Sequence, residues 1–188
     1  MSDLHADALR VLTTWRAGDV RQERLRSSYV EHLRAHDDGV WQSCVPAHLT
    51  ASVLVLDHTA RRVLLTLHRK GGFWAQLGGH CEPGDPTLAD AALREGVEES
   101  GIAGLRLVGR TPVDLDRHAL SGTFGRCGEH LDVRYAAVAP AGAEPVVSDE
   151  SDDVRWFDVE ALPPGAVDDL SSLVTRARAA VSGTARRA

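Results

Sequence analysis

Three carboxylates, Glu95, Glu98 and Glu99, stand at i, i+3 and i+4. On a helix those spacings place them on one stripe, because residues three and four apart are surface neighbours. Like charges so arranged cost a bare helix roughly 0.2–0.5 kcal/mol per pair. A hard divalent cation offsets that cost: Mg²⁺ and Mn²⁺ prefer oxygen ligands and keep waters that a bound phosphate can displace. The chemistry such a row would serve is metal-assisted cleavage of a phosphate anhydride. The competing reading is an ordinary solvated acidic helix face.

The helix that must carry the row reads as Leu88 to Ser100. Thr87 is its N-cap, Asp90 is a weaker stand-in for the capping-box glutamate, and Gly101 is the C′ glycine. Its opposite stripe is small or apolar, with Ala89, Leu93, Val97 and Gly96, and is expected to lie against a sheet. Ahead of it, residues 78–86 hold three glycines and two prolines and read as a loop.

Gly79, Asp85, Arg94-Glu95, Glu98-Glu99, Gly101 and Ile102 together resemble the signature of the Nudix hydrolases: Gly, five residues, Glu, seven residues, Arg-Glu, apolar, any, Glu-Glu, any, Gly, apolar. Three positions depart from it. Asp85 stands for the first glutamate, eight residues rather than seven separate it from Arg94, and Gly96 replaces the apolar residue. The additional residue falls near Pro86-Thr87, before the helix, and leaves the helix register intact. The resemblance implies an α+β fold, an α/β/α sandwich with a mixed sheet between helices. It implies Mg²⁺ or Mn²⁺ as cofactor, held by Glu95, Glu98 and Glu99 with the Gly79 carbonyl. Arg94 would orient a glutamate, and Glu95 or Glu98 would take the proton from water. The implied reaction is cleavage of a pyrophosphate bond in a nucleoside diphosphate linked to another moiety. Two rivals share the fold: a silent nucleotide- or sugar-nucleotide-binding module, and an isomerase of the isopentenyl diphosphate type. Intact glutamates count against the first, and the second needs a cysteine and metal-binding histidines whose arrangement the sequence does not match.

The elements that must position this site follow in order. Leu4, Ala8, Val11, Leu12 and Trp15, then Leu25, Tyr29 and Leu33, repeat at helical spacing, with Gly18-Asp19 as the turn between two helices. Leu49 to Leu56 and Arg62 to Leu67 read as a β-hairpin, Phe73 to Leu77 as a short strand, and Leu105 to Asp116 as another. Glu129 to Val138 alternates, with His130, Asp132 and Arg134 on one side and Leu131, Val133 and Tyr135 on the other. Val154 to Phe157 is a strand and 167–180 a last helix, with a frayed end after Ser182. The organisation is therefore an N-terminal helical hairpin extension over 1–42, a catalytic domain over 43–182, and a tail over 183–188.

Arg69, Lys70 and Arg134 are the candidate contacts to substrate phosphate or a neighbouring carboxylate, and Glu150 a candidate further ligand or base. His118, Cys127 and His130 match no closed zinc spacing, so a polar pocket lining or a local hydrogen-bond network is the better reading. The chain has 188 residues, 43% of them hydrophobic, and a formal charge of −6. That balance speaks against nucleic-acid polymers as partners, leaving a small nucleotide diphosphate substrate whose charge the cation meets. No apolar run long enough for a membrane span and three widely spaced cysteines point to the cytoplasm without disulfides. Dimers are frequent in the resembling family, so a homodimer is an option the sequence leaves open.

Overall fold

The aliphatic stretch after Pro46 forms the central strand β1 (Ala47–Leu56), every residue of which is buried. In the computed structural model, which describes residues 2–45, 47–69, 71–119, 128–147 and 151–185, it pairs in parallel with β7 (Glu129–Val138) from Ala47↔Glu129 to Leu56↔Val138. On its other edge β1 runs antiparallel to β2 (Arg62–His68) and β4 (Leu77–His80). β3 (Trp74–Ala75) and β8 (Ser151–Asp158) flank β2, while β5 (Arg106–Leu107) and β6 (Asp114–Ala119) flank β7, completing a mixed eight-stranded sheet. Lys70, Cys127 and Glu150 lie outside the described residues.

Alternation along β1 and β7 divides the core. Leu49, Ala51, Val53 and Val55 with Leu131, Val133, Tyr135 and Ala137 face α1 (Asp3–Thr14), α2 (Val20–Ala35) and α3 (Leu88–Ser100). On the opposite face Leu54, Leu56 and Ala136 pack on Leu170, Leu173, Val174 and Ala177 of α4 (Leu170–Ala185). This is the expected sandwich, and the N-terminal hairpin is two helices as expected. Ser2 and Asp19 cap α1 and α2 by accepting the amides of His5 and Gln22. α1 also reaches the signature helix: the Asp7 carboxylate, 8% exposed, accepts the Leu88 amide at 3.0 Å, taking up one otherwise orphaned donor at the N-terminus of α3.

Several elements differ from the sequence reading. Gly78, Gly79 and His80 are strand rather than loop, paired with Ser52, Ala51 and Thr50. The glycines serve close approach: a Cβ on Gly78 would lie 2.3 Å from the Ser52 Cβ. The expected strand from Leu105 to Asp116 is two strands, split around Gly109, whose φ of +72° turns the chain. α4 begins at Leu170 and continues through Ser182 to Ala185 instead of fraying. Val97 on α3 is 36% exposed; the buried line is Leu88, Ala89, Ala92, Gly96 and Ser100.

Gly96 sets how near α3 can sit. A Cβ there would meet Val53 Cγ1 on β1 at 2.7 Å and Leu105 Cδ1 at 3.4 Å. Gly96→Ala gains about 1 kcal/mol of helix propensity, yet the stiff β-branched Val53 cannot yield without moving the helix or the strand. We expect Gly96→Ala to lower stability by about 1–3 kcal/mol in urea unfolding, and the penalty to shrink in a Val53→Ala background. A higher midpoint for Gly96→Ala alone would contradict this packing.

Candidate active site

Thr87 caps α3 by accepting the Asp90 amide, and Gly101 closes it in the left-handed region at φ +65°. The helix so fixed brings its glutamates over the Gly78-Gly79 segment of β4. A Cβ on Gly79 would fall 2.7 Å from Glu95 Oε1, so only glycine admits the carboxylate there. Glu99 Oε2 accepts the Gly78 amide at 2.9 Å. Glu95 is 12% exposed in its side chain and Glu98 58%. The row is thus graded from packed to solvent-facing.

Arg94 joins these parts. Its Nη1 donates to Glu95 Oε1 at 3.0 Å and to Glu98 Oε2 at 2.8 Å. Its Nε and Nη2 fork onto the two oxygens of Asp85 at 3.0 and 3.1 Å, and Nη2 also reaches the His80 carbonyl at 2.9 Å. The hydrogen bonds it donates to Asp85, with the charges of Glu95 and Asp85 and the bond to Glu98, hold the guanidinium well above its ordinary pKa despite the opposing effect of burial. Asp85 also accepts the Glu82 amide at 2.7 Å, tying the loop to itself. The shorter Asp in place of the signature glutamate therefore still grips the arginine.

The donors gathered here are all oxygens: the carboxylates of Glu95, Glu98 and Glu99, with the backbone of Gly79 in contact with Glu95. That set suits a hard divalent cation rather than a thiophilic one. Arg94 supplies one positive charge against Asp85, Glu95 and Glu98, leaving negative charge for a cation to neutralise.

The other face of the sheet carries a second polar layer. Asp132, buried, accepts from Thr50 Oγ1 at 3.0 Å, Ser52 Oγ at 2.7 Å, Gln76 Nε2 at 3.3 Å and Arg134 Nε at 3.1 Å. Arg134, 3% exposed, also pairs with Asp116 at 3.2 Å and with Asp169, so its guanidinium is committed to three carboxylates. Burial opposes its charge, and Asp132, Asp116 and Asp169 outweigh that and raise its pKa. Beside them lie His48, His80, His118 and His130. Burial and then the neighbouring His80 push His48 down to about 4, while burial with His48, His80 and His118 pushes His130 down to about 3. The hydrogen bond to Asp116 raises His118. Arg69 is exposed and pairs with Asp152 at 3.2 Å. Trp74 packs edge-on against Phe157 at 4.8 Å and belongs to the core.

A family model for the NUDIX domain matches residues 46–176. The chain belongs to the Nudix family. With that membership it is a hydrolase acting on a pyrophosphate bond, in a family that generally uses divalent metal. Solved structures share the fold. A NUDIX-family hydrolase from Clostridium perfringens is 23% identical at a TM-score of 0.54, covering 72% of this chain and 96% of its own. A C. elegans Ap4A hydrolase binary complex is 18% identical at 0.57, covering 72% and 98%. The E. coli dihydroneopterin triphosphate pyrophosphohydrolase is 17% identical at 0.52, covering 73% and 95%. At these identities the likeness is one of fold alone. A search of curated proteins finds no match. No helix among the described residues is long and apolar enough to cross a membrane.

Three features of this Nudix site escaped the sequence. The Asp7 cap on α3 joins residues 81 positions apart, and the His80 carbonyl as an Arg94 acceptor is a backbone group. The third is the histidine cluster, for which the period-2 pattern of His130, Asp132 and Arg134 is the one available signal. The pairing of Arg134 with Asp132 is among the expected alternatives. Asp85→Ala should lower stability by about 2 kcal/mol in urea unfolding, since it strips a partly buried guanidinium of its forked partner. Unchanged stability would mean that this fork does not hold the loop to the helix.

Proposed function

We propose that this Nudix protein is a Mg²⁺- or Mn²⁺-dependent hydrolase of a nucleoside diphosphate linked to another moiety, releasing a nucleotide and a phosphorylated remainder. The observation that carries the reading is that Glu95 and Glu99 meet Gly79 and Gly78 while one arginine joins Glu95 to Glu98. Glu95, Glu99 and the Gly79 carbonyl would hold the cation, with Glu98 at the solvent-facing end of the row. The bound cation would neutralise charge on the phosphates and acidify a water.

Within this reading each residue has a distinct task. Arg94 aims Glu95 and Glu98, since both accept from the same Nη1. Glu98, whose side chain is 58% exposed against 12% for Glu95, would accept the proton of the attacking water. Arg69 and Lys70 are the proposed phosphate contacts. Arg134, with three carboxylates on its guanidinium, acts in this reading on substrate through the polar floor it organises. The substrate class is supported by two fold neighbours, one an Ap4A hydrolase and the other a dihydroneopterin triphosphate pyrophosphohydrolase. The isomerase rival gains nothing from Cys81: burial, with the charge of Asp85, pushes its thiol up to about 12.

The test is release of nucleotide or phosphate with Mg²⁺ or Mn²⁺ across damaged nucleoside triphosphates, nucleotide sugars, dinucleotide cofactors and dinucleoside polyphosphates. Turnover of one class, reduced roughly 10²-fold or more by Glu98→Gln in a folded protein, is expected. Turnover unaffected by Glu98→Gln would refute the assignment, and metal binding without turnover of any class would favour the binding module.

A further inference from the structure

The sheet face opposite the glutamates carries histidines from four strands in one row. In register His48 on β1 lies beside His130 on β7, and His130 lies beside His118 on β6. His80 on β4 pairs with Thr50, one side chain along the same face of β1 from His48. The ring centroids are 5.1 Å apart for His48 and His80, 4.9 Å for His48 and His130, and 5.2 Å for His80 and His130. One ring nitrogen from each of the three lies within 4.8 Å of the others.

From this geometry we propose that His48, His80 and His130 form a three-histidine site for a zinc-class transition-metal ion, separate from the carboxylate site on α3. Imidazole nitrogens suit Zn²⁺, Co²⁺, Ni²⁺ or Cu²⁺ and are poor ligands for Mg²⁺. Three nitrogens now within 4.8 Å need to close by about 1–1.5 Å to share one ion at the usual Zn–N length of about 2.0–2.1 Å, a shift within side-chain reach. His48 is buried to 0% exposure, so its ring is held in place by the packing around it. Next to His130, His118 Nδ1 bonds Asp116 at 3.0 Å, so the row is braced at its far end.

The surroundings favour a cation over an anion. Asp132, Asp116 and Asp169 outnumber the two guanidiniums paired with them, the buried Arg134 and the exposed Arg21. A phosphate at the imidazoles would face that surplus of carboxylates. His80 and His130 are only partly buried, so a water can complete a fourth position. The site also touches the other one through the backbone: His80 follows Gly79, and its carbonyl accepts from Arg94. Metal at the histidines would therefore stiffen the strand on which Glu95 and Glu99 rest.

The full chain, stripped with chelator and titrated with Co²⁺ in the presence of excess Mg²⁺, tests this directly. The expected result is one equivalent of Co²⁺ with the intense visible bands of a four-coordinate ion and no sulfur charge-transfer band, displaced by one equivalent of Zn²⁺. His80→Ala and His130→Ala should each weaken this binding at least about 10-fold, whereas Glu98→Gln should leave it unchanged. Because either histidine variant can disturb the sheet, imidazole ¹⁵N signals of the unmodified protein provide a second readout and should shift for three histidines on adding Zn²⁺. A thiolate band would place the ion at the separate His36, Asp38 and Cys44 group and overturn the proposal. So would weak six-coordinate spectra, or binding and ¹⁵N signals indifferent to the histidines.

Discussion

The guanidinium of Arg94 is the constraint on which the rest of the site depends. Five donors in one plane are shared among the Asp85 carboxylate of the loop, the His80 carbonyl of β4, and two carboxylates of α3. A point charge such as lysine could not serve these directions at once. Without it the glutamates would repel one another across a helix face, and the loop from Cys81 to Thr87 would have lost its main tie to the helix. Because Asp85 is 5% exposed in its side chain, the fork is drier than a surface ion pair and correspondingly more directional.

The arginine can work only because the helix comes so near the sheet. Gly96 removes a side chain on the α3 side, and Gly79 removes one on the β4 side, so Glu95 lies directly over backbone. The N-terminal hairpin contributes to the same end. Asp7 holds the first amide of α3, while Tyr29 and Gln22 of α2 bond β6 through the Asp116 carbonyl and the Asp114 carboxylate. The extension is thus fastened to both the signature helix and the sheet edge that carries the polar floor. Its placement is a consequence of those bonds, beyond the apolar repeat that predicts two helices.

What the sequence makes legible is what local rules decide. Thr87, Asp90 and Gly101 bound α3 because capping is a matter of a few neighbouring residues. The alternation of β7 assigns Leu131, Val133 and Tyr135 to one core and leaves His130, Asp132 and Arg134 on the other face. Gly78 and Gly79 mislead because glycine has two uses, turning a chain and admitting a close neighbour, and composition alone does not say which applies. The histidine row is hidden for a different reason: His48, His80, His118 and His130 come from four strands, and only register brings them together. The single stretch read from Leu105 to Asp116 divides because Gly109 takes a positive φ that no periodicity announces.

A crystal soaked in Mn²⁺ and measured at the manganese edge tests for a hard cation between α3 and the Gly78-Gly79 strand. The predicted result is anomalous density bounded by Glu95, Glu99 and the Gly79 carbonyl, within reach of Glu98. Density confined to other carboxylates, with α3 empty at saturating Mn²⁺, would contradict it.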